Sequence, residues 1–219
     1  MTADEQTISV ADVLKAVRPT PVINSSLECE ARIQIIAEKF KDIMVALGLD
    51  LTNDSLKGTP TRVAKMYVNE IFSGLWDKNF PKITTIENDM SYDQMIVAKR
   101  VSVMSTCEHH FVTIDGFATI GYIPGKKVIG LSKLNRIVRF FARRPQVQER
   151  LTKQIADCLV AILETEHVAV QIEAKHYCLV SRGVEDIASI TVTSDLRGDF
   201  KRKPETRDEF LRHGHSAAI

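Results

Sequence analysis

The sequence predicts an α+β domain, an antiparallel sheet with helices packed on one face. Three observations carry this. Residues 95–104 and 111–123 are β-rich; two amphipathic helical patterns follow, separated by the Arg144-Pro145 break; then strand-type alternation begins at Val168 and again near residue 188. The order strand, strand, helix, helix, strand, strand suits helices gathered on one side of a sheet rather than alternating βαβ units. A length of 219 residues suits one such domain carrying an additional helical segment.

The elements read in order as follows. Residues 1–27 form a polar, weakly patterned arm interrupted by Pro19 and Pro21. A helical segment, 28–93, opens with a helix from about Leu27 to Leu47, with Ser25 and Glu28 as a capping box and Ile33, Ile36, Ala37 and Phe40 on one face. A second helix has Thr59 as N-cap and Pro60 at its first position, and Pro81–Asp93 reads as a long connection. The remaining domain, 94–219, holds the first two strands, with "IPGKK" as a turn and Asp115-Gly116 as a tight turn or a bulge. The helix from Ser132 buries Leu134, Ile137, Val138 and Phe141; the next buries Val147, Leu151, Ile155, Leu159 and Ile162. "HVAVQIEAKHYCLV" alternates through His176, Cys178 and Val180 and predicts one long strand with His176 and Cys178 facing inward. A strand over 188–194 and a short helix in "ETRDEFLRH" complete the chain.

A formal net charge of +1 excludes a general nucleic-acid or membrane-surface binder, and no apolar run approaches the ~18 residues of a membrane span. The opening residues lack the basic and apolar regions of a signal peptide, so the expected location is the cytoplasm. Four cysteines in a chain of this length point to metal, catalytic or core roles rather than a disulfide framework.

"STCEHHF" at 105–111 concentrates the chemistry. Cys107 and His110 have the short spacing by which a turn brings two side chains to one zinc, and Cys178 adds a second thiol. Three ligands with a vacant fourth position describe a catalytic rather than a structural zinc. The alternative is a Cys107–Cys178 disulfide or two inert thiols. Against it stand Glu108, His109, His110 and His176, more polar groups than packing alone would place there. Cys29 and Cys158 lie in amphipathic helices and read as small apolar residues. His109 and His176 remain for proton transfer near a metal.

Lys133 and Arg136, with Ser132, sit where a helix begins, although cations there oppose its dipole; a polyphosphate on the same backbone N–H groups would explain them. Arg62 and Lys65 repeat the arrangement, and Arg182 follows the His/Cys segment. For any one of them a solvated basic face is the simpler reading. No Gly-rich phosphate loop occurs. Gln148 and Glu149 open the second helix, where a carboxylate can serve as an N-terminal acid or pair with a purine or pterin edge.

With "STCEHHF", "GLSKLNRIVRFFARRPQVQERLT" and "HYCLVSRG" together, the chain resembles GTP cyclohydrolase I over roughly residues 28–212, including "TPTRVAKMYVNEIFSGL" and "TRDEFL". The resemblance implies the tunnelling fold and a homodecamer with active sites between subunits. It implies hydrolytic opening of the guanine imidazole ring of GTP by water, giving formate and 7,8-dihydroneopterin triphosphate, the entry to tetrahydrofolate and pterin biosynthesis. It further implies Cys107, His110 and Cys178 as zinc ligands and His109 and His176 as acid/base groups, with Ser132 assisting. Glu149 with Gln148 would grip the guanine; Ser132, Lys133, Arg136 and Arg182 would meet the triphosphate and ribose. Arg62 and Lys65 would reach the phosphates from a neighbouring subunit. "DLRGDF" at 195–200 departs from the family pattern, outside the site. Two rivals differ in chemistry: another tunnelling-fold enzyme acting on a pterin or deazapurine, and a non-catalytic GTP- or zinc-binding module. Substrate comparison separates the first, and formate production the second.

Overall fold

The computed structural model describes residues 6–7, 9–23 and 26–215; Ser25, half of the expected capping box, lies outside them. Strand β1 (Gln6–Thr7) is followed by α1 (Val10–Ala16), a helix within the arm, which seats Val13 and Val17 in the main core. Helix α2 (Cys29–Ala46) begins two residues later than expected, with Glu28 as an extended N-cap that makes no side-chain capping bond. Helix α3 (Thr59–Met66) starts at Thr59 itself, with Gly58 as N-cap, and continues as a π-helical turn over Tyr67–Ile71. The expected connection 81–93 contains β2 (Thr84–Glu87), which joins β1 and the later β5 (Lys127–Ile129) in a small antiparallel sheet.

The main sheet has the order β6-β3-β4-β7-β8. Strands β3 (Ile96–Cys107) and β4 (Thr113–Tyr122) form its first hairpin, and β6 (Pro145–Gln146) adds a two-residue parallel pairing at the end of β3. Helices α4 (Leu131–Ala142) and α5 (Gln148–Leu163) bring Leu134, Ile137, Phe141, Leu151, Ile155 and Leu159 to nearly complete burial against Val103, Ala118, Ile120 and Ile172. Asp115-Gly116 is neither a turn nor the bulge: both residues pair within β4, and the register shift lies at Ala98/Val101 of β3. Glycine is required at 116 because a Cβ would stand 2.0 Å from Glu173 O.

Strand β7 (Val168–His176) ends before Cys178, contrary to the long strand expected. Its partner β4 starts at Thr113, and the last ladder pair is Ile114↔His176, so at Cys178 no β4 residue remains to extend the pairing. The chain instead turns into the one-turn helix α6 (Tyr177–Val180). Strand β8 (Thr191–Leu196) likewise begins later than residue 188, because Asp186 Oδ1 accepts the Ala188 and Ser189 N–H groups in a turn. The last helices, α7 (Asp199–Arg202) and α8 (Pro204–His215), cover part of the opposite sheet face, where Phe200 and Phe210 pack on Ala169. Hence β7 is buried on both faces at this end, and its simple alternation conceals that.

Candidate metal centre

Strand β3 ends at Cys107, and a tight loop carries Glu108, His109 and His110 before β4 begins. The loop is closed by Phe111 N–H donating to Cys107 O (2.9 Å) and Cys107 N–H donating to Val112 O (2.8 Å). Phe111 takes the left-handed conformation at φ 54°, uncommon for a bulky residue. Its ring is held at a centroid distance of 5.2 Å from Phe72 and 6.4 Å from Tyr67, which ties the loop to the end of the α3 segment.

From the other side, α6 delivers Cys178. The ligand atoms of Cys107, His110 and Cys178 all lie within 4.8 Å of one another. The helical turn, not a strand face, is thus what aims Cys178 at the loop. Burial, followed by the neighbouring Cys107, raises the Cys178 thiol pKa. Two thiols this close resist joint ionisation, and a cation between them reverses that preference. Two sulfurs and an imidazole suit zinc-like metals, and three ligands leave a coordination position for a non-protein group.

His109 is not in the three-residue group, yet its Nδ1 lies 3.6 Å from Cys107 Sγ, closer to the thiol than a side chain directed elsewhere. His176 is half-buried at the end of β7, its Nε2 2.7 Å from Gln148 Oε1. Burial lowers its pKa, opposed by the Glu149 carboxylate. Arg182 Nη1 meets His110 Nε2 at 2.8 Å.

The remaining expected residues are distributed less tightly. Ser132, Lys133 and Arg136 occupy the first turns of α4, where Gly130 is the N-cap and no side chain caps the helix. Glu149 is exposed in the first turn of α5. Arg62 donates to Ser55 O (2.8 Å) and Thr59 Oγ1 (2.9 Å), steadying the approach to α3. Among the described residues no hydrogen bond or ion pair links Ser132, Lys133, Arg136, Arg62 or Lys65 to the metal cluster. Cys158 is buried as expected and its thiol pKa is pushed strongly upward by burial, whereas Cys29 is exposed, its Sγ 3.5 Å from Asn69 Oδ1. Cys29 opens α2, and that first turn stands away from the main core.

One participant was not visible in the sequence. Arg150 forms an ion pair with Glu108 and also donates to Gln146 Oε1 (3.0 Å) and Pro145 O (3.2 Å). Gln146 in turn donates to Gln154 Oε1 (2.7 Å), and Gln154 to Arg18 O and Thr20 Oγ1. The metal loop is thereby braced on α5 and, through it, on the arm.

A family model described as GTP cyclohydrolase I matches residues 36–215. Proteins called GTP cyclohydrolase 1 from Shewanella loihica and Shewanella amazonensis are 57% and 58% identical over 192 residues, covering 88% of this chain and 90% and 89% of theirs. One from Shewanella putrefaciens is 54% identical over 212 residues, 96% of this chain and 99% of its own.

Proposed function

Because the chain belongs to the GTP cyclohydrolase I family, we propose that the Cys107–His110–Cys178 cluster is the metal centre of its hydrolytic reaction on GTP. The convergence of these three ligand atoms from two distant segments is the observation that carries the reading. The family activity is the hydrolytic one; zinc as the metal, and formate and 7,8-dihydroneopterin triphosphate as products, are part of the proposal. Zinc held by these residues would supply Lewis-acid activation of water near neutral pH.

The protein's own groups divide the remaining work. His109 and His176 are the candidates to donate and accept protons on the purine and ribose, since His109 lies against Cys107 and His176 is the N-cap of the helical turn that carries Cys178. Glu149 offers a carboxylate suited to the two adjacent N–H donors of a guanine edge. Ser132, Lys133, Arg136 and Arg182 supply hydroxyl and cationic groups for ribose and triphosphate, with the α4 N-terminus favouring anions. Arg62 and Lys65 belong to the same reading as groups reaching a neighbouring subunit's phosphates.

That last assignment requires a homo-oligomer, and a decamer is part of the proposal. Helix α2 supports self-association because Ile35, Ile43 and Val45 are exposed on it, as is Leu47 at its C-cap. No helix among the described residues is long and apolar enough to cross a membrane, and unpaired Cys107 and Cys178 suit the reducing cytoplasm.

The test is incubation with GTP, with and without a chelator, following formate and dihydroneopterin absorbance. Product should form, stop on chelation and return with zinc. Cys107→Ser protein should lose at least about 100-fold in rate. Normal turnover by metal-free, correctly assembled Cys107→Ser protein would falsify the metal assignment.

A further inference from the structure

Gln148 is 1% exposed, yet every polar atom of its side chain has a partner. Its Nε2 lies 3.0 Å from Ile172 O, 3.0 Å from Thr191 O and 3.1 Å from Thr193 Oγ1, while its Oε1 lies 2.7 Å from His176 Nε2. Two of the Nε2 partners are main-chain carbonyls, which can only accept. Flipping the amide would press its oxygen against both in a buried site, so the orientation is decided by β7 and β8.

The third partner is fixed by its own neighbours. Thr152 Oγ1 donates to Gln148 O (2.8 Å), so the proton shared with Thr193 Oγ1 (2.7 Å) comes from Thr193. Thr193 Oγ1 therefore keeps a lone pair for the Gln148 amide. With both N–H groups directed at these oxygens, Gln148 presents only an acceptor to the histidine, and His176 Nε2 must donate.

We infer that Gln148 is a positioning residue that holds neutral His176 in its Nε2–H tautomer, leaving Nδ1 as the ring's only lone pair. Resting on the function proposed above, protons then enter and leave His176 at Nδ1. The Gln148 amide is consequently occupied within the subunit, and the guanine contact falls to Glu149 rather than to both residues.

Solid-state NMR on protein carrying isotope-labelled histidine reads the tautomer without substrate, under alkaline conditions that keep the ring neutral. His176 is assigned by the signals lost in His176→Asn protein. A single Nε2–H signature is expected; an Nδ1–H form, or a mixture, overturns the inference. Gln148→Met should replace the single tautomer with a mixture and slow formate release roughly 10- to 100-fold at unchanged metal content. Retention of the single tautomer in folded Gln148→Met protein also overturns it. Thr193→Val leaves both carbonyls in place and should preserve the tautomer, and with the unmodified protein it decides the matter if Gln148→Met does not fold. An Nε2–H ring in protein that releases no formate from GTP upholds this inference and refutes the function proposed above.

Discussion

Glu108 stands between two of the proposed metal ligands, yet its carboxylate reaches to Arg150, 42 residues further along the chain. Both partners are largely shielded from water, so removing the cation leaves a partly buried carboxylate beside the loop. We expect Arg150→Met to weaken metal binding roughly 10- to 100-fold, read by competition with a chromophoric chelator. Unchanged affinity would show that Glu108 steadies nothing the metal needs. The spacing of Cys107 and His110 was legible because both ligands belong to one turn. Glu108 was not, because its partner is supplied by a helix brought near only in three dimensions. Cys178 lay between these cases: its residue type was informative, but its presentation depended on where β7 ran out of a partner.

Glycines reveal the same dependence at the level of elements. Gly116 lets β4 approach β7, and Gly74 lets the turn after α3 rest on α4, where a Cβ would lie 2.0 Å from Phe140 O. Backbone cannot yield cheaply in either place. Gly116→Ala and Gly74→Ala are each expected to cost about 2 kcal/mol or more, measured by urea unfolding, whereas Gly125→Ala, with 4.0 Å to its nearest neighbour, should be nearly neutral. Helix α5 was readable from its apolar stripe, since Leu151, Ile155, Leu159 and Ile162 all reach the core. Truncating Leu159 to Ala should destabilise by about 2–5 kcal/mol in the same assay. Helix α1 was missed because seven residues give too short a pattern, and its position is set by Val13 and Val17 meeting a core built elsewhere.

At the scale of the whole molecule, the C-terminal helices carry two acid-sensitive ion pairs. Lys203 beside Asp199, and Arg202 beside Glu166, hold both carboxyl pKa values below their ordinary 3.8 and 4.5. Such a depressed carboxylate stabilises fully above its unfolded pKa, and that contribution is lost as pH falls through the folded value. Below about pH 4, hydrogen exchange should therefore rise around Phe200 and Phe210 before it rises in α4 and α5. Simultaneous exchange in both regions would contradict this order. The metal centre has a different consequence for the same molecule. Cys107 and Cys178 are roughly seventy positions apart in the chain, so an ion shared between them, as proposed, would be a removable staple across a long loop. By the loop-entropy relation such a closure is worth on the order of 4 kcal/mol. The exposed segment 181–190 begins immediately beyond the staple. Protease cleavage there should accelerate when a metal held by the proposed centre is withdrawn, making the chain's own nicking rate a clock for metal loss.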